Sequence, residues 1–213
     1  MPDQPIRALL FDLGGVLIDI DFDRVFRSWQ PISRLSFEEM KARFRFDLPY
    51  RQHERGQLDA TGYFAHLRRR LALHDDHARI VDGWNAIFTG EIAVTMRMVR
   101  AARSQLPCHV FSNTNATHKH AWSARYPAIA ASFDRVFASC DIGLRKPEHA
   151  AFAHVARAIG VSPQAIMFFD DSAENVAGAA ACGLHAVHVR RPADVEAALR
   201  GIGVTLESGP ATG

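Results

Sequence analysis

The chain has 213 residues, enough for one good core carrying a sizeable insertion or for two small domains. A hydrophobic fraction of 48% and a charged fraction of 23% are ordinary for a globular protein and exclude a disordered one. Lys plus Arg (25) against Asp plus Glu (23) leaves a formal charge of +2, too little for the basic footprint of a nucleic-acid binder.

Three cysteines (Cys108, Cys140, Cys182) lie far apart, without disulfide-framework or metal-ligand spacing, which points to a reducing compartment. Neither a leader-like N-terminus nor an apolar run long enough to span a bilayer is present. The expectation is a cytoplasmic monomer that binds neither nucleic acid nor membrane. The histidines are scattered, with no His-Glu-x-x-His arrangement, and read as surface or packing residues.

In chain order, Arg7 to Asp19 opens with an apolar run, Ala8 to Phe11, then Asp12, then Gly14-Gly15. This is the pattern of a buried parallel strand emptying into a tight loop, and a carboxylate at such a strand end sits where open α/β sheets place their ligands. From Asp19 to about Phe88 the texture is helical. Asp21 or Asp23 can cap a helix through Trp29; Ser36-x-x-Glu39 forms a capping box; Gly56, Asp59, and Asp75 or Asp76 punctuate further helices. The residues from 19 to 88 are therefore read as a helical insert, and 1–18 with 89–213 as the remainder.

After Glu91 helices and strands alternate: a helix to about Gln105, a strand from Cys108 to Phe111, a helix around Trp122, and a strand from Val136 to Ser139. A helix from Pro147 to Ile159, with proline at its first position, precedes a strand from Ala165 to Phe169. A helix to Cys182, a strand from His185 to Val189 and a last helix near Leu199 complete the series. Alternation of this kind predicts a parallel sheet with helices on both faces, and the tail after Gly203 is expected to fray.

Asp12, Ser112 and the Asp170-Asp171 pair each follow an apolar strand, so parallel strands would deliver all of them to one edge of the sheet, with Lys146 ahead of the Pro147 helix. Crowded carboxylates need a neutralising cation, and hard oxygen ligands suit Mg²⁺. Such a site fits a phosphate: Lys146 and the metal neutralise it, Ser112 donates to its oxygens, and Asp12 can attack phosphorus.

Phe-Asp-Leu-Gly-Gly-Val-Leu, Phe-Ser-Asn-Thr-Asn, Arg-Lys-Pro and Phe-Phe-Asp-Asp-Ser-Ala-Glu-Asn, in that order, resemble the four motifs of the haloacid dehalogenase-like hydrolases. The resemblance implies a Rossmann-like α/β core with a helical cap domain inserted after the first motif. It also implies Asp12 as nucleophile, Ser112 and Lys146 as phosphate ligands with Asn113 beside them, and a Mg²⁺ site of Asp12, the Gly14 carbonyl, Asp171 and neighbouring Asp170. Asp-Ile-Asp-Phe-Asp-Arg-Val and Gln-His-Glu-Arg-Gly are similar to segments of bacterial phosphatases of α-D-glucose 1-phosphate. A small phosphorylated metabolite, such as that sugar phosphate, is the implied substrate.

One departure matters. Most phosphatases of the family carry a second Asp two residues after the nucleophile, where this chain has Gly14. That leaves open a catalytically impaired binding protein on the same scaffold, or a dehalogenase, although Asp12, Lys146 and the acid pair favour the phosphatase. Arg51, His53 and Glu54, beside the turn at Gly56, are the candidates to reach down from the cap, for substrate choice or to supply the missing acid; a place on the surface at a helix end is the competing reading.

Overall fold

The computed structural model describes residues 4–206. It opens with β1 (Ala8–Phe11) and β2 (Ile18–Ile20), then runs through the helices α1 (Phe22–Trp29), α2 (Phe37–Arg43), α3 (Leu48–Glu54), α4 (Ala60–Arg70) and α5 (His77–Asn85). There follow β3 (Phe88–Glu91), α6 (Ala93–Arg103), β4 (Cys108–Ser112), α7 (Ala116–Arg125), α8 (Pro127–Ala131), β5 (Arg135–Ala138) and α9 (Ser139–Ile142). The chain continues with α10 (His149–Ile159), β6 (Ile166–Asp170), α11 (Ala173–Ala181), β7 (His185–His188) and α12 (Pro192–Gly201).

Five strands form one parallel sheet in the order β5-β4-β1-β6-β7. Its centre is β1, with Phe11 in register with Val110 on one side and Phe169 on the other. Because successive strand residues face opposite ways, Leu9 and Phe11 enter one hydrophobic cluster while Ala8 and Leu10 enter a second across the sheet. Both faces are covered, which is why the strand reads as an unbroken apolar run.

The insert is not helix alone. Ile18–Ile20 pairs antiparallel with Phe88–Glu91, so both crossings to the five helices lie side by side in one two-stranded ribbon. A three-residue strand cannot display a two-residue periodicity, and Asp19 opposite Gly90 dilutes what signal there is. The expected caps form. Asp21 accepts from the Asp23 amide, Ser36 and Glu39 complete a capping box, and Asp59 and Asp76 cap α4 and α5. Trp29 and Trp84 stack with ring centres 6.0 Å apart inside the helices. The hydrophobic cluster there continues without a break to the sheet residues Leu9 and Phe11 and to Val16 in the loop after β1.

Two local expectations are corrected. Pro147 is not the first residue of a helix: its peptide bond to Lys146 is cis, and α10 begins at His149 after Glu148. The tail does not fray from Gly203 onward, since Val204 and Leu206 are buried in the core and Thr205 exchanges hydrogen bonds with Gln105; residues 207–213 lie outside the described residues.

Candidate active site

Asp12 follows β1 directly, and its amide bonds the Phe169 carbonyl at 2.8 Å, extending the β1–β6 ladder at the C-terminal edge of the sheet. Gly15, three residues on, has φ +75°, and a Cβ there would fall 2.3 Å from an Asp171 carboxylate oxygen. Only glycine lets the loop after β1 pass so close to the loop after β6.

Lys146 is 1% exposed, and its ammonium is bonded at 2.7 Å to Asp12 and at 2.6 Å to Asp170. It also lies over the faces of Phe111 and Phe168, 5.4 and 5.3 Å from their centres, so two carboxylates and two ring faces surround the buried charge. Burial opposes that charge, yet the two carboxylates hold its pKa above the ordinary lysine value. Its backbone is clipped as well. The Asn113 side chain accepts from the Lys146 amide at 2.8 Å and donates to the Lys146 carbonyl at 2.9 Å.

Asp170 is fully buried and committed: besides Lys146, it accepts from the Ser172 amide at 2.9 Å and the Asn175 side chain at 3.0 Å. Asp171 is the exposed member of the pair and lines the cavity. Oxygens of Asp12, Asp170 and Asp171 lie within 4.8 Å of one another. Burial pushes the Asp12 carboxyl up to about 7, against the pull of Lys146, and burial with Asp170 nearby raises Asp171 too. Three acids sharing one ammonium leave an excess of negative charge that a divalent cation would balance, so the donor set fits a metal.

A cavity of about 140 Å³ opens beside these groups, lined on the sheet side by Asp12, Gly14, Ser112, Asn113, Lys146 and Asp171. This is well below the roughly 300–1,000 Å³ of drug-sized ligand sites. The haloacid dehalogenase-like hydrolase family matches residues 6–183. The chain belongs to the haloacid dehalogenase-like hydrolases. Among relatives of this hydrolase, the phosphatase MT3486 of Mycobacterium tuberculosis is 28% identical over 193 residues, covering 87% of this chain and 88% of the relative. The sesquiterpene phosphatase astK of Aspergillus oryzae is 25% identical over 197 residues, covering 86% and 89%. The crystal structure of the HAD family enzyme bt-2542 from Bacteroides thetaiotaomicron, in complex with magnesium and inorganic phosphate, superposes with a TM-score of 0.76 at 25% identity, covering 85% of this chain and 92% of that one.

The insert contributes differently from expectation. Arg51 is exposed and away from the cavity lining. His53 is buried, not at the surface; its ring stacks on Tyr63 at 4.4 Å and its Nδ1 meets the Leu58 carbonyl at 2.9 Å, while burial lowers its pKa. Glu54 is buried too, accepting from Arg145 Nε at 2.8 Å, and burial raises its pKa. Neither residue lines the cavity. Tyr50, Phe22 and His118 do. Tyr50 stands four residues before Glu54 and so shares its helix face, a relation visible in the spacing once Glu54 is singled out. Phe22 and His118 carry no comparable signal. His118 is fixed by Asn115, the N-cap of α7, at 3.3 Å and by the Trp84 carbonyl at 3.1 Å.

Proposed function

We propose that this hydrolase is a Mg²⁺-dependent phosphatase of a small organic monophosphate, working through an aspartyl-phosphate. The observation that carries the reading is the buried Lys146 held between Asp12 and Asp170, with Asp171 open to the same cavity. Phosphatase-named relatives that cover most of the chain support it.

Asp12, Asp171 and the Gly14 carbonyl would hold the cation, with Asp170 serving instead to fix Lys146 through its committed oxygens. When bound, Mg²⁺ neutralises the charge of the carboxylates and of the phosphoryl oxygens. Lys146 and Ser112 then orient the phosphoryl group for in-line attack. An Asp12 oxygen forms a bond to phosphorus as the bond from phosphorus to the substrate oxygen breaks, and the leaving oxygen takes a proton from water. In the second half, water attacks the aspartyl-phosphate and releases inorganic phosphate, restoring the Asp12 carboxylate. Residues 19–88 act as the cap that closes the leaving-group side.

Asp12→Asn tests the reading, because the amide keeps the shape and is no nucleophile. Phosphate release should fall by a factor on the order of 10⁶, as for removal of a covalent nucleophile elsewhere, with the thermal unfolding transition retained. Substantial turnover in the variant, or a parent rate indifferent to chelator, would overturn it. A sugar phosphate is the substrate class implied by the motif resemblance, whereas astK's name points to an apolar alcohol.

A further inference from the structure

The cavity has two unlike halves. Every charged or amide-bearing group that lines it comes from the sheet side, whereas the insert and its ribbon supply Ile20, Phe22, Tyr50, Ile87 and Phe88. Of these, Tyr50 alone has a polar side-chain atom, and its hydroxyl is turned toward the buried Glu54 carboxylate. His118, at the boundary, is occupied at both ring nitrogens, and the Thr114 hydroxyl meets the Asn115 carbonyl.

The apolar wall also runs outward. Phe46 is 54% exposed, and its ring contacts Tyr50 at 4.9 Å and Phe22 at 5.6 Å, continuing the lining to the surface. A large aromatic side chain left in water at the end of an aromatic lining is a feature that binding would relieve.

Resting on the phosphatase reading, we propose that the leaving group is an apolar alkyl or aryl alcohol rather than a polyol. The phosphoryl group sits against Lys146 and Ser112, and the carbon skeleton runs along Phe22 and Tyr50 toward Phe46. A polyhydroxylated skeleton would strip its hydroxyls of water against Ile20, Phe22, Ile87 and Phe88, none of which can donate or accept a hydrogen bond in return.

Primary monophosphates decide it: n-hexyl phosphate and 3-phenylpropyl phosphate against ribitol 5-phosphate and glucose 6-phosphate, whose neighbouring oxygens make them the better leaving groups, each with Mg²⁺. The apolar pair should exceed the polyol pair by roughly tenfold or more in kcat/KM, since a single methylene in a hydrophobic pocket already contributes about 10–200-fold. Phe22→Asn should narrow that ratio severalfold. Equal or higher kcat/KM for the polyol phosphates, while p-nitrophenyl phosphate is hydrolysed, would overturn this inference alone. No Mg²⁺-dependent release from any of the five would overturn the phosphatase reading beneath it.

Discussion

Glu54, at the end of α3, is bonded at 2.8 Å to Arg145, the residue before Lys146. The next residue of the insert, Arg55, pairs with Glu148, so two consecutive insert residues grip the segment 145–148 on either side of the lysine and its cis proline. Gly56 then crosses the chain with φ +67°, where a Cβ would fall 2.5 Å from the Cys140 carbonyl. Glu54 and Arg55 thus hold the position of Lys146 without themselves lining the cavity.

A double-mutant cycle measures that grip. Glu54 has 5% of its side chain exposed and Arg145 19%, so removing either partner strands a mostly buried charge. Glu54→Gln and Arg145→Gln should each cost about 1–3 kcal/mol in urea unfolding, and the double variant less than their sum. Strict additivity would mean that the pair contributes nothing.

Gly14 leaves room for an acid. Its φ is not in the left-handed region, and an added Cβ would meet only the flexible end of Ile20, at 3.0 Å. Gly14→Asp should fold, and should raise the rate on alkyl phosphates relative to aryl phosphates by about 10²–10⁴, the usual contribution of a general acid. A parent enzyme already insensitive to leaving-group basicity would show that another group protonates the leaving oxygen.

Gly15 is the opposite case. Gly15→Ala would force its methyl group into the Asp171 carboxylate at a positive φ. The expected result is a loss of at least about 1 kcal/mol in stability together with a Mg²⁺ requirement shifted to higher concentration. An unchanged Mg²⁺ titration would remove Asp171 from the metal site.

Acid lability has an identified contributor. Burial pushes His118 from its ordinary 6.5 down to about 3, with the Trp84 carbonyl opposing the shift and His53 adding to it. Between those values the unfolded chain binds a proton at this residue that the folded chain refuses. The histidine therefore imposes no penalty above pH 6.5, and its contribution makes stability fall as the pH drops from that value toward 3. His118→Phe should give a shallower decline in urea-unfolding stability between pH 7 and 5 than the parent. Parallel profiles would assign the lability to other groups.

Much of this arrangement is legible in the sequence. An apolar strand ending in a carboxylate appears at Asp12 and at Asp170, and parallel alternation brings such ends together, so Asp12, Lys146 and the acid pair can be placed before any coordinates exist. What the sequence hides depends on the third dimension. Glu54 and Arg145 are 91 residues apart and look like surface charges until the fold buries them against each other. Phe22 and Tyr50 are ordinary amphipathic-helix residues by spacing, and only the packing of α1 and α3 turns them toward the cavity. The division of labour within Asp170-Asp171 is equally invisible, because it depends on which carboxylate Asn175 reaches.

The strand order has a consequence for biosynthesis. Asp12 directly follows the central strand β1, but the neighbours of that strand, β4 and β6, arrive late, and Asp170 is the final residue of β6. While a ribosome has yet to release that strand, Lys146 lacks one of its two carboxylates and β1 lacks half its hydrogen bonds. Contacts of such long sequence separation form slowly. The carboxylate cluster is therefore complete once β6 docks, before the edge strand β7 is added, and enzymatic activity in a nascent or truncated chain would serve as a direct readout that β6 has docked.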